Sequence, residues 1–290
     1  MNALIFGSNG QDGYYLSKLL VSKGIHVVGI SRSKSDIVGD VSDFNFVESL
    51  IIKYKPSYIF HFAAVSNTKH ESIFLNHSAI TTGSLNIFES CRLHSNHSKI
   101  FISGSALQFK NNNLPINELA EFDVSSAYSL SRVHSVDTAR YYRSQFGLYI
   151  YIGYFFNHDS PIRSDNHINQ KIISTLKRIN LGNREKLEIG NLKVKKEFNF
   201  AGDVVEAVWL LVNQENTFEA TIGSGLAYSI ENWIEYCFSK YDLNYREFVV
   251  EKTSYVAEYD ILVCDPSTIF KIGWSPNVDF SMLAELMLLE

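Results

Sequence analysis

The chain of 290 residues is poor in cysteine: Cys91, Cys237 and Cys264 are far apart and odd in number. That excludes a disulfide framework and a zinc knuckle, so no metal site is expected and a reducing cytoplasm is the expected location. No apolar run reaches the roughly 18–20 residues of a membrane span, so no membrane partner is expected. A basic leader is missing as well: the chain passes from Met1 straight into a buried-strand pattern, and no signal peptide is expected. Positive charge is not in surplus. Lys and Arg number 26 against 31 Asp and Glu, a net charge of −5, which removes the electrostatic footprint of a general nucleic-acid binder but allows a local basic pocket. What the chain does have is 46% apolar and 20% charged residues, a globular balance with ample core for one large domain or two modest ones.

The first half alternates short apolar runs with amphipathic stretches. Residues 3–6, 26–30, 58–62, 99–103 and 148–156 read as strands, and residues 14–23, 44–54, 80–91 and 129–146 as helices. Gly24 stands where the first helix would stop. Strands alternating with helices predict a doubly wound parallel sheet of the Rossmann type. The rhythm breaks after Phe156. Residues 157–169 are polar and irregular, while 204–212, 230–238 and 282–289 look helical. The expected division is a dinucleotide-binding domain of residues 1–156, to which 198–218 return. A smaller α/β substrate-binding cap is expected from 157–197 and 219–290.

Three groups of residues carry chemistry. Gly7-Ser8-Asn9-Gly10-Gln11-Asp12-Gly13 lies between the first strand and first helix. Its Gly-x-x-Gly-x-x-Gly spacing also suits an ordinary tight turn. After the first strand of a βαβ unit, it predicts backbone approaching a pyrophosphate at a helix N-terminus. The second strand is followed by Arg32, with no acid until Asp36. A basic residue there suits the 2′-phosphate of NADP, with NAD the alternative and plain solvation of Arg32 the bland one. Asp40 and Val41 follow in a loop suited to the adenine. Phe62, Ala63, Ala64 and Ser66 end a strand where small residues let a cofactor lie close, or simply pack. In the third group, Tyr128 and Arg132 share one face of a helix start, and Ser105 lies just past a strand. A cation favours the phenolate of a neighbouring tyrosine, which can then exchange a proton with a sugar hydroxyl while a nicotinamide exchanges hydride. Outside this fold context, Tyr128 and Arg132 would read as residues of a dimer-forming helix.

Together these residues resemble the extended short-chain dehydrogenase/reductase family, and within it the GDP-mannose 4,6-dehydratases. The specific segments are residues 10–16, Asn157-His158-Asp159-Ser160-Pro161 (Asn-His-Glu-Ser-Pro in the family), Gly190-Asn191-Leu192 running on to Trp209, Asp265-Pro266-Ser267, and Gly273-Trp274-Ser275-Pro276. The resemblance covers nearly the whole chain. It implies that His158 and Arg163 flank the cofactor, that Asn157, Lys171, Lys196 and Glu258 face a GDP-linked sugar, and that the helix from Tyr128 pairs in a homodimer or homotetramer. Lysine and arginine suit a diphosphate, although each of these could be a solvated surface charge.

The departures matter as much. Against the family's Ser-Thr-Ser-Glu-Leu-Tyr-Gly the chain has Gly104-Ser105-Ala106-Leu107-Gln108-Phe109-Lys110. Ser105 can replace the threonine, but Leu107 stands where the resemblance implies the glutamate that removes the C5 proton and helps water leave C6. Tyr-x-x-x-Lys has become Tyr128 to Arg132, Lys-Arg-Asp has become Lys195-Lys196-Glu197, a phosphate-binding arginine has become Tyr255, and a histidine has become Asn67. Three activities are compatible. One is hydride transfer at sugar C4 without dehydration. Another is a 4,6-dehydratase whose base has moved to His61, His70 or Glu71. The third is a catalytically weak nucleotide-sugar-binding homologue.

Overall fold

Alternation inside the short apolar runs decides which face each residue covers. Along β1 (Asn2–Phe6), Leu4 and Phe6 join the core on one side and Ala3 and Ile5 the core on the other. A strand buried on both faces needs helices above and below it. The computed structural model, which describes residues 1–252 and 256–289, meets that requirement. After β1 come α1 (Gln11–Ser22), β2 (His26–Ser31), β3 (Ile37–Val38), α2 (Phe44–Tyr54), β4 (Tyr58–His61), α3 (Ile73–Asn76), α4 (Gly83–His94), β5 (Lys99–Ser105), α5 (Ala127–Phe146) and β6 (Tyr149–Phe155). Shorter elements follow: β7 (His158–Asp159), α6 (Ile168–Asn180), β8 (Leu187–Ile189), β9 (Lys195–Glu197), β10 (Asn199–Phe200), α7 (Ala201–Val212), β11 (Glu219–Ile222), β12 (Ala227–Ser229), α8 (Ile230–Ser239), β13 (Val249–Glu251), β14 (Ile261–Leu262), α9 (Ser267–Lys271) and α10 (Phe280–Leu289).

Seven strands pair in parallel in the order β11-β6-β5-β4-β1-β2-β3. The predicted doubly wound α/β architecture is present. Residues of α2, α4 and α5 fill the core on the Leu4 side, and those of α1 and α7 fill it on the Ala3 side. The strand order reverses between β1 and β4, and the carboxyl ends of strands at such a reversal open a ligand crevice. Helix ends are set locally. The Asp43 carboxylate accepts from Phe46 N–H at 3.2 Å to start α2. Ser126 and Ser129 satisfy each other's backbone N–H groups to start α5, which stops at Gly147 with φ +67°. A third core binds α6, α8 and α10, with Trp233 stacked on Phe198 at 4.8 Å.

The structure differs from the sequence reading in three places. The helix expected over 80–91 begins at Ile73 and passes through a wide π turn, His77–Thr82, where Asn76, Ser78, Thr81 and Thr82 blur the apolar period. There Gly83 packs so closely that a Cβ would lie 2.8 Å from the Val41 side chain. The segment returning to the sheet extends through β11, which pairs with β6, and α9 packs Ile269 into the same core as α7. Finally, α6 is a helix that the sequence pattern does not predict, with Ile172, Ile173, Leu176 and Ile179 forming a buried stripe along it. No helix among the described residues is long and apolar enough to cross a membrane.

Candidate active site

β1 leads into a turn at Gly7, whose φ of +90° favours glycine. A Cβ on Gly7 would lie 2.6 Å from Ala63 N, and one on Gly13 would lie 2.5 Å from Gly7 O. Protein backbone fills both places. Gly10 is different, because among the described residues a Cβ there would meet only Gly7 O, at 3.4 Å. Gly10 is also the N-cap of α1, and no side chain caps the helix, so its first N–H groups are available to a phosphate. From this turn a cavity of about 190 Å³ runs past Asn9, Arg32, Asp40, Val41 and Ala63 to Ala64. Arg32 is exposed and has no hydrogen-bond or ion-pair partner among the described residues. Asp36 accepts from Gly29 N–H at 2.8 Å, which ties its carboxylate to the strand backbone. Asn9 donates to the Ser33 carbonyl and Asp40 accepts from Ser42, holding the loop in shape. The open cradle above Gly10, the small residues and the free cation fit a dinucleotide.

Ala64 also lines a larger cavity of about 270 Å³, bounded by residues from the carboxyl ends of β5 and β6. Tyr128 and Arg132 sit one turn apart on α5, both buried. Arg132 Nε donates to the Tyr128 hydroxyl at 3.1 Å. Its Nη1 donates to the Ser103 carbonyl and, at 2.9 Å, to Ser103 Oγ. The guanidinium is thereby tied to β5 and holds the phenol oxygen. Ser105, the last residue of β5, caps the short turn Ala106–Gln108: its Oγ accepts from Leu107 N–H at 3.2 Å, and its own N–H donates to Gln108 Oε1 at 2.8 Å. The Ser105 hydroxyl therefore keeps its proton to donate. Leu107 packs on the main core and lines the cavity.

The opposite wall is polar. Gln11 donates to the His158 carbonyl at 3.2 Å and accepts from Ser160 Oγ at 2.9 Å, joining α1 to the cap. His158 Nε2 lies 2.9 Å from Asp12 Oδ1, and its Nδ1 lies 2.8 Å from the Phe156 carbonyl. Burial disfavours the charged ring, but Asp12 outweighs it and raises the His158 pKa. Burial likewise opposes the Asp12 carboxylate, and His158 still holds its pKa below the ordinary value. Asp159 accepts from Asn169 Nδ2 at 2.6 Å, and Arg163 Nη2 donates to His167 Nδ1 at 3.1 Å. Burial, with Arg163 beside it, lowers the His167 pKa, and Nδ1, which accepts from Arg163, leaves Nε2 as the ring's donor. Burial also pushes Lys196 down to about 8, against the pull of Asp159. Among the described residues Asn157 Oδ1 and Asn169 Oδ1 are buried without hydrogen-bond partners, and Arg163 Nε has only an ion pair with Asp159 Oδ1 at 3.7 Å, so the wall has polar capacity to spare.

These features can be set beside known proteins. A family model described as GDP-mannose 4,6 dehydratase matches residues 4–287. The chain belongs to the GDP-mannose 4,6-dehydratase family. GDP-mannose 4,6 dehydratase 2 of Arabidopsis thaliana is 30% identical over 98% of this chain and 85% of its own length. The Dictyostelium discoideum GDP-mannose 4,6 dehydratase is 27% identical over 98% and 94%. Among solved structures, dTDP-glucose 4,6-dehydratase from Bacillus anthracis in complex with NAD has a TM-score of 0.88 at 12% identity, covering 100% of this chain and 96% of that one. RMD from Pseudomonas aeruginosa complexed with NADPH has a TM-score of 0.88 at 17% identity, covering 99% and 97%. Both show the fold.

Within this GDP-mannose 4,6-dehydratase family member, the structure gathers most residues picked from the sequence. Ser105, Tyr128 and Arg132 line the larger cavity, as do Asp12, Phe62, Ala64 and Ser66 from the sheet side and Asn157, His158, Arg163 and Lys196 from the cap. Gly7, Asn9, Arg32, Asp40, Val41 and Ala63 line the narrower one. Gln11 and Gly13 are buried in the first turns of α1. Lys171 and Glu258 line neither cavity. Lys171 donates to the Glu188 carbonyl in a separate surface groove, and Glu258 accepts from Thr68 at 3.2 Å. His61, His70 and Glu71 also line neither cavity, and burial holds His61 down to about 4. Tyr255 lies outside the described residues. Sequence reasoning missed Asp159, His167, Asn169 and Leu262 as cavity residues. The first three sit in a polar stretch without periodicity, and Leu262 looks like ordinary core.

Proposed function

We propose that the protein is an NADP-dependent enzyme that moves hydride at C4 of a nucleotide sugar without dehydrating it, as a 4-keto reductase or a 4-dehydrogenase. The observation that carries this reading is Leu107: it lines the cavity beside Ser105 and Tyr128 and has no proton to exchange. The cofactor, when bound, would supply the redox chemistry: NADPH would give a hydride from its nicotinamide, and NADP would accept one in reverse. Ser105 donates to the sugar O4, and Tyr128 gives O4 a proton as ketone becomes alcohol, or removes it in reverse. Arg132 positions Tyr128 and offers its remaining N–H groups to the cofactor ribose. Arg32, which has no partner among the described residues, suits the 2′-phosphate. Arg163, Lys196 and the start of α6 suit a sugar diphosphate, GDP-linked by the activity named for the relatives. A dimer through α5 and a cytoplasmic setting complete the proposal.

A second reading draws on Lys196, buried in the same cavity with its pKa pushed down to about 8. It is a 4,6-dehydratase whose base has moved to the cap. Proton NMR of GDP-mannose incubated with the protein and NADP separates the two. The leading reading expects no C6 methyl doublet. A doublet that disappears in Lys196→Met while GDP-mannose still binds, read by calorimetry, would establish the second.

A further inference from the structure

The larger cavity has two unlike walls. The cap wall is polar, with Asn157, Asn169, His167 and Lys196. The wall beside Ser105 is hydrocarbon: Ala106, Leu107 and Leu262 belong to or pack on the main core and come to the surface in the cavity. The polar side chains on that turn offer the cavity only the Ser105 hydroxyl, because Gln108, whose Nε2 has no hydrogen-bond partner among the described residues, is buried behind the wall. Ser105 Oγ accepts from Leu107 N–H, and Gln108, fully buried, turns its Oε1 to Ser105 N–H and does not line the cavity.

Resting on the reading above, O4 of the sugar is held by Ser105 and Tyr128. The ring carbons next to C4 are C3, which carries a hydroxyl, and C5, which carries C6. Leu107 lines the same cavity two residues from Ser105, and in the inference below it is set against the substituent on C5. A hydroxyl pressed on leucine loses its water and finds no partner, which weakens binding by about 10- to 100-fold. A methyl group gains contact instead. We infer that the substrate enters already deoxygenated at C6, as a nucleotide-linked 4-keto-6-deoxyhexose, and that Leu107 is the residue that selects the C6 methyl over a hydroxymethyl. The reaction that supplies it must be a separate 4,6-dehydration, in which a nucleotide hexose loses one water with no net oxidation. This protein then adds one hydride to C4 and one proton to O4, oxidising NADPH to NADP as the ketone becomes a secondary alcohol.

The test is calorimetric titration of the NADPH-loaded protein with GDP-D-mannose and GDP-D-rhamnose, which differ only at C6 and which NADPH cannot reduce. GDP-rhamnose is expected to bind at least about 10-fold more tightly. Leu107→Gln, checked for an unchanged melting temperature, is expected to bring the two within about 3-fold by giving the hydroxyl a partner. Equal affinities in the unaltered protein, or a preference for GDP-mannose, overturn the inference while leaving nucleotide-sugar binding intact. If neither GDP sugar binds, the titration is repeated with UDP-glucose and UDP-6-deoxyglucose. Failure of both pairs overturns the nucleotide-sugar reading and the inference with it.

Discussion

Alanine at Gly10 and alanine at Gly13 should have opposite consequences, although both are glycines of one turn. A Cβ at residue 13 would sit 2.5 Å from Gly7 O and 2.6 Å from Ser8 Cα, where ordinary contact begins near 3.5 Å. Those atoms cannot yield easily, because Gly7 N–H is tied to the Ile30 carbonyl at 2.8 Å. Overpacking of this kind costs about 3 kcal/mol, and the better helix propensity of alanine returns about 1. The net loss of about 2 kcal/mol should lower the melting temperature by about 4–8 °C in a chain of this size. At residue 10 the only contact among the described residues is Gly7 O at 3.4 Å, and the φ of −76° suits alanine. Gly10→Ala should therefore melt within about 2 °C of the unaltered protein, but its methyl should occupy the phosphate cradle and weaken NADPH at least about 10-fold. Thermal unfolding and a fluorescence titration with NADPH read the two effects separately. Unaltered NADPH affinity in Gly10→Ala, or unaltered stability in Gly13→Ala, would refute the reasoning.

Arg32→Ala should weaken NADPH by about 10- to 100-fold while leaving NADH nearly unaffected, measured by the same titration, because the lost charge-assisted bonds go to the 2′-phosphate alone. Glu219 accepts from Arg140, Arg143 and Tyr154 and is held at about 2, first against burial and then by the two arginines. Its depressed folded pKa means that the stabilisation is present above the ordinary carboxylate value near 4.5 and is lost as pH falls toward 2. Urea midpoints should show about 2–3 kcal/mol more acid loss in the unaltered protein than in Glu219→Gln, allowing for the part-exposed Arg140. NMR titration should place the His158 imidazole above an ordinary histidine, and Asp12→Asn should bring its pKa down, since Asp12 provides the raising interaction. Tyr128→Phe should cut turnover of a 4-keto-6-deoxy nucleotide sugar by about 10²- to 10⁴-fold with little change in NADPH affinity.

The parts of the molecule visible in the sequence are those whose physics is local. The two-residue alternation of β1 and of residues 99–103 names both faces of the sheet, and the glycine turn after β1 marks the cofactor site without reference to anything distant. The cap is harder to read. β7, β9, β10 and β14 are two or three residues long, too short to show a period. The polar wall depends on α6 docking against α8 and α10, which carries His167 and Asn169 to the cavity while Lys171, four residues beyond His167, lies in a surface groove. Leu107 was legible as a departure at a known place in the motif. Its continuity with Leu262, about 150 residues further along, required the fold.

The most direct test of hydride transfer without dehydration is to incubate the protein with a nucleotide-linked 4-keto-6-deoxyhexose and NADPH carrying deuterium at the nicotinamide C4, and to locate the label by NMR. Use of both deuterated stereoisomers ensures that one transfers the label. The account predicts deuterium at the sugar C4, on a new secondary alcohol, with the C6 methyl keeping three protons. Deuterium in the C6 methyl, or none in the sugar with either isomer, would contradict it.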